Sequence, residues 1–147
     1  MEMLFNKNIH FNGKTSLIVF YSIKKYLTKI MIWTLVNQHF EWMALSLATY
    51  RFAYQPSETF LLKLGCVMTV VYALKYTIKR KRPNQKDSLS FPSGHSALAW
   101  FLAWEYKHPL VYGWAAMVSY ARIYEKYHWT SDVLFSIGLT YIIHQIL

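Results

Sequence analysis

Cysteine is nearly absent. Cys66 stands alone in 147 residues, so no intrachain disulfide can form and the redox compartment leaves no mark on the chain. Acidic residues are scarce as well, 7 against 16 lysines and arginines, for a formal net charge of +9. Only 5 glycines and 4 prolines occur, and neither a low-complexity linker nor an internal repeat is visible. Met1 to Gly13 lacks a compact apolar stretch and a small-residue cleavage site, so no removable signal peptide is expected. What the chain does hold is apolar and aromatic, 54% and 18%, with 6 Trp and 12 Tyr. Such rings concentrate at membrane–water interfaces, and the mixture points to a small polytopic membrane protein of one domain, residues 1–147. A basic nucleic-acid binder is the competing reading of the charge. The basic residues lie between apolar runs and not along one soluble face, so no nucleic-acid partner is expected.

Read in order, residues 16–36 form a first helix, with Ser22, Lys24, Lys25, Thr28 and Lys29 towards one side. That stripe fits an amphipathic, interfacial helix. Asn37-Gln38-His39 reads as a break, followed by a second helix over 40–54. Pro56 or Ser57 opens a third, about 58–81, the clearest apolar run; Pro83 stops it by pushing its predecessor out of the helical region. A polar, turn-forming segment spans 84–92. A fourth helix starts at Pro92-Ser93-Gly94 and runs to about Lys107, a fifth runs from Pro109 to about Tyr124, and a sixth from Ser131 to Leu147. The expectation is an all-α membrane bundle of about six helices. Several hold only about 14–16 residues, roughly 21–24 Å against a hydrocarbon core of about 30 Å, so a thinned bilayer or longer helices must make up the difference. The ends of helices three and five and the starts of four and six face one side.

Those ends carry the chemistry. Lys75 and Arg82 are seven apart, two helical turns, and so project from one face of the third helix, with Lys79 between them. Arg82 offers a planar fork for two phosphate oxygens, Lys75 a point charge. Lys79, Arg80, Lys81 and Lys86 read as a membrane-flanking charge run. Pro92-Ser93-Gly94-His95 places proline and a short polar residue at a helix start, where open N–H groups and the helix dipole attract an anion. The same tetrapeptide alone also reads as an ordinary helix cap, and His95 as a packed side chain. Arg122, His128 and Asp132 complete the set; the carboxylate four residues after His128 can accept its ring N–H if the sixth helix begins near His128. His95, His128 and Asp132 also make a formal two-His-one-carboxylate metal set. Three nearby cations argue against it, since they repel a divalent ion and attract a dianionic phosphate. No metal and no cofactor are therefore expected. His10, His39, His108 and His144 show no partner pattern and read as surface or interface residues.

Taken together, Lys75-x6-Arg82-Pro83, Pro92-Ser93-Gly94-His95 and Arg122-x5-His128-x3-Asp132 resemble the signature of the type 2 phosphatidic acid phosphatases, lipid-phosphate phosphatases related to vanadium haloperoxidases. All three blocks occur in order between 75 and 132; Ala121 stands where the family usually has Ser. The resemblance implies a metal-independent phosphatase acting on a lipid phosphate or pyrophosphate through a phosphohistidine. It implies His128 as nucleophile, Asp132 as its orienting carboxylate and His95 as general acid. Lys75, Arg82, Ser93, Gly94 and Arg122 would bind the phosphate. It also implies an integral protein of a bacterial inner membrane with the site outward. Phosphatidic acid, phosphatidylglycerol phosphate, an isoprenyl pyrophosphate and a lipid A phosphate all fit as substrate. A phosphotransferase is the enzymatic alternative, and a non-catalytic lipid-phosphate binder or transporter the non-enzymatic one.

Overall fold

A computed structural model of the chain describes residues 13–54 and 57–147. The expected absence of a signal peptide (residues 1–12) and the helix-opening role of Pro56 lie outside the described residues. Five α-helices and no strand occur among those described: α1 (Gly13–Tyr54), α2 (Glu58–Ile78), α3 (Gly94–Tyr106), α4 (Pro109–Tyr124) and α5 (Thr130–Ile146). The all-α expectation holds; among the described residues five helices stand where about six are expected. Asn37-Gln38-His39 is no break, because α1 runs through it for 42 residues. None of the three lacks a backbone donor, and each costs only about half a kcal/mol of helix propensity or less, too little to end a helix.

By compactness the chain divides into residues 1–34 and 35–147. In the first unit, the side chains of Ile18, Tyr21, Ile23, Tyr26 and Leu27 are exposed, as are Lys24 and Lys25. In the second, α3 is the centre, packed by α2, α4 and α5. Ala97, Ala99, Phe101, Leu102 and Ala103 are all fully covered, so α3 is buried on more than one side. Around it lie Phe60, Val67 and Val71 of α2, Ala115 and Val118 of α4, and Phe40 and Ala44 of α1. The alanines let neighbouring backbones approach closely.

Helix ends place the loops that matter. α2 stops at Ile78, three residues short of expectation. Lys79 turns left-handed (φ 49°) and its N–H returns to the Lys75 carbonyl. Arg80 and Arg82 then hand their backbone bonds to the following loop: Ser90 N–H donates to Arg80 O, and Arg82 N–H to Asp87 O. Lys75, Lys79 and Arg82 therefore do not share a helix face. Ser93 caps α3 by accepting from Ser96 N–H, and His108 caps α4 just ahead of Pro109 by accepting from Leu110 N–H.

Candidate functional site

A pocket of about 290 Å³ lies where the C-terminal ends of α2 and α4 meet the start of α3. Lys75, Arg82, Gly94, His95, Arg122 and His128 line it, six of the eight residues singled out by spacing. One wall is apolar, made of Phe40, Met68, Val71 and Leu98, and Glu41 and Tyr72 complete the lining. The formal charge of that lining is three cations against one carboxylate, +2 with neutral histidines. The apolar wall comes from α1, α2 and α3, and the cations from the ends of α2 and α4 and from the loop that carries Arg82.

His128 is almost completely buried. Its Nδ1 lies 2.6 Å from the Ser90 carbonyl oxygen. A carbonyl only accepts, so the proton sits on Nδ1 and the lone pair on Nε2. Burial pushes the pKa of this ring down to about 3; Arg82, Lys75 and Arg122 push the same way, against the Ser90 hydrogen bond. At neutral pH the imidazole is uncharged and carries a free lone pair.

Asp132 is not the partner of that ring. Its Oδ2 is 4.0 Å from His128 Nδ1, beyond hydrogen-bond reach. The i,i+4 argument fails because α5 begins at Thr130, which leaves His128 in the preceding loop. The fully buried carboxylate has other partners: Arg80 Nη1 at 2.6 Å, the Ser90 hydroxyl, and the Trp129 N–H at 3.0 Å. Arg80, assigned from spacing to a membrane flank, is thus the counter-charge of the signature aspartate. Its guanidinium also lies over the Trp129 ring, 5.5 Å from the centroid. Ser90 carries no spacing signal at all. Its position two residues before Pro92 is the one cue that it belongs to the same turn as the cap.

The cations are held in place from behind. Lys75 Nζ donates to Leu89 O and Pro92 O, both at 2.8 Å, which ties the loop ahead of α3 to α2 and leaves one ammonium proton. Arg82 Nε donates to Asp87 Oδ1 at 2.6 Å and Nη1 to Tyr127 O at 3.3 Å. Arg82 in turn holds the Asp87 carboxyl below the usual carboxylate range. Arg122 stacks on Tyr127, 4.6 Å from the ring centroid. Ser93, expected to bind phosphate, is fully buried and outside the lining; its hydroxyl faces Ser96, and its N–H is 3.4 Å from Asp132 O. Ser96 and Ala97 N–H are already taken by Ser93, so the amides of Gly94 and His95 are the first-turn donors for an anion. A Cβ on Gly94 would meet Val71 at 3.8 Å, an ordinary contact, so packing within the chain does not require glycine there.

His95 is flanked by Phe40, ring centroids 4.6 Å apart, and Phe40 stacks on Trp114 at 5.6 Å. Phe40, Glu41, Asp87, Ser90 and Arg80 are therefore the site residues that spacing missed. His144, which shows no partner pattern in the sequence and reads as a surface or interface residue, bonds Glu105 at 2.8 Å. Ala121 is fully buried, away from the pocket lining.

A family model described as "PAP2 superfamily" matches residues 58–147, which is more than half of the chain and contains all three sequence blocks. The comparisons with curated proteins and with solved structures give no match.

Proposed function

This chain belongs to the PAP2 superfamily, and we propose that it is a phosphatase, an integral membrane enzyme that dephosphorylates a lipid phosphate or pyrophosphate through a phosphohistidine, without a metal. The observation that carries the reading is the pocket, where cations and two imidazoles share a space with an apolar wall. The cations and the open amides of α3 suit a phosphate dianion, and Phe40, Met68 and Val71 suit the start of an acyl or isoprenyl chain. The membrane part rests on two features. Among the described residues one helix, Glu58–Ile78, is long and apolar enough to cross a bilayer. Large apolar side chains are also exposed on the other helices, among them Leu110, Leu134, Ile142 and Ile146. An interfacial seat for the start of α1 and an outward-facing site in a bacterial inner membrane belong to the same proposal and rest on the lysine stripe and the resemblance.

In this mechanism the His128 Nε2 lone pair forms the N–P bond while the ester P–O bond breaks. His95 takes up a proton together with the incoming phosphate dianion, whose charge offsets the cations around it, and donates that proton to the leaving oxygen. Lys75, Arg82, Arg122 and the Gly94 and His95 amides hold the non-bridging oxygens, whose charge grows in the transition state. A water then loses its proton to His95, forms the new P–O bond and breaks N–P, releasing inorganic phosphate. A metal step is disfavoured by the donor set, since the Asp132 carboxylate faces Arg80 and Ser90. The test is phosphate release from lipid phosphates in detergent with excess EDTA. Turnover should persist in chelator, be blocked by vanadate, which mimics the five-coordinate state, and vanish in His128→Ala together with an acid-labile phosphoenzyme. Loss of activity in EDTA with recovery in zinc would overturn it.

A further inference from the structure

Resting on His128 as nucleophile, we infer that Ser90 is the residue that positions it, and that Asp132 acts on the imidazole through the groups it holds, Ser90 above all, and not by contact with the ring. Four contacts support this. Ser90 is fully buried, and its carbonyl, not a carboxylate, accepts the Nδ1 proton of His128 at 2.6 Å. The Ser90 hydroxyl donates to Asp132 Oδ2. Its N–H donates to Arg80 O at 2.9 Å. The Arg80 guanidinium closes the ring on Asp132 Oδ1 at 2.6 Å. Ser90 is thus fixed at its amide, its hydroxyl and its carbonyl, and Lys75 pins the carbonyls of Leu89 and Pro92 on either side of it.

This frame decides what each group does when His128 becomes a cation. On attack, Nε2 takes the phosphorus and Nδ1 keeps its proton, still donated to the Ser90 carbonyl. The ring gains one positive charge, and the leaving oxygen carries the electron pair away with the proton of His95. Asp132 is 4.0 Å from Nδ1, but its charge is already met by Arg80 at 2.6 Å. The aspartate therefore supplies geometry: it holds the serine whose carbonyl aims Nε2 into the pocket. Misplacing a nucleophile by about 1 Å can cost on the order of a hundred-fold in rate.

The experiment is steady-state and rapid-quench kinetics of the full chain in detergent, on p-nitrophenyl phosphate and on one lipid phosphate. Ser90→Ala should lower kcat by roughly ten- to a hundred-fold on both substrates alike, with KM within about threefold, because aim is lost and not leaving-group protonation. Ser90→Thr, which keeps the hydroxyl, should recover most of the rate. Wild-type kcat in Ser90→Ala, or a loss confined to KM, overturns the inference. If Ser90→Ala does not fold, Asp132→Asn decides. Asparagine still accepts from the Ser90 hydroxyl, but it leaves the Arg80 charge unbalanced near the forming cation. Arg80→Gln added to Asp132→Asn should then restore the rate by about fivefold or more. If the second substitution only adds its own loss, Asp132 works by its charge and the inference fails. His128→Ala separates the two readings. If it retains turnover, the phosphohistidine proposal falls and this inference with it. A dead His128→Ala beside an unimpaired Ser90→Ala sinks this inference alone.

Discussion

Charged side chains gather at both ends of α3, and the two gatherings are built on opposite principles. At the far end, Glu105 is a nearly buried carboxylate enclosed by three basic groups: His144 Nδ1 at 2.8 Å, Lys63 Nζ at 3.6 Å and Arg51 Nη2 at 3.9 Å. These come from α5, α2 and α1, so one carboxylate ties four helices together. At the near end, about 16 Å away along the helix, the order is reversed. Lys75, Arg82 and Arg122 converge on a pocket, while Asp132 faces Arg80 and Asp87 holds Arg82 by its Nε. There the carboxylates stand behind the cations as supports and leave the cavity positive. A cluster that is closed on itself is costly to break; a cluster held open by supports is prepared for an anion.

Removing the central carboxylate of each type would test that contrast hardest at the far end. Glu105→Ala leaves three basic groups without their shared counter-charge in a largely covered site. Unfolding should become easier by about 2–3 kcal/mol, softened because the partners are partly exposed. Turnover per folded molecule should stay within a few-fold of wild type. Chemical or thermal unfolding in one detergent, followed alongside activity, measures both. Normal stability with collapsed turnover would mean that the two ends are coupled and the comparison is wrong.

Arg82→Lys probes the near end with a smaller expected effect. Lysine keeps the charge but cannot donate to Asp87 and Tyr127 while also facing the pocket, as the guanidinium does through Nε and Nη1. Turnover should fall by about ten- to a hundred-fold, on the order of 1.4–2.7 kcal/mol of transition-state stabilisation, with a lesser change in KM. A rate equal to wild type would show that Arg82 only balances Asp87.

The site was more legible in the sequence than the paths that assemble it. Proline gave the start of α4 at Pro109, and the Ser93 cap gave the start of α3, because both act through local backbone chemistry. The polar triplet 37–39 misled, since polar side chains do not end a helix that keeps its donors. Lys75 and Arg82 do meet in one pocket, though for a different reason than helical spacing. The chain leaves the helix at Lys79 and folds back through Asp87. Asp132 looked like the partner of His128 because four residues separate them. Its actual partners, Arg80 and Ser90, are 52 and 42 residues away, and no local pattern encodes such a pairing. Phe40 and Glu41 were invisible for the same reason, as they enter the pocket from a helix outside the matched region.

The smallest predicted effect concerns Lys79, a cation that spacing put on the face of Lys75 and Arg82 but that read as part of a flanking charge run. Lys79 is exposed, caps α2 in a left-handed turn and does not line the pocket. Its charge is then one of several on the rim, with Lys81, Lys86 and Lys126, all exposed to solvent. Exposed charges act at long range, and salt screens them within about 10 Å at 0.1 M. Lys79→Ala should therefore leave kcat within a few-fold. It should at most weaken the apparent affinity for an anionic substrate, and that weakening should fade as salt is raised. The measurement is kcat and KM on one lipid phosphate in mixed micelles, at low and at high ionic strength. A tenfold loss of kcat that persists in high salt would place Lys79 against the transferring phosphoryl group. The distinction between cations held open for an anion and cations that merely stand on the rim would then have to be drawn elsewhere.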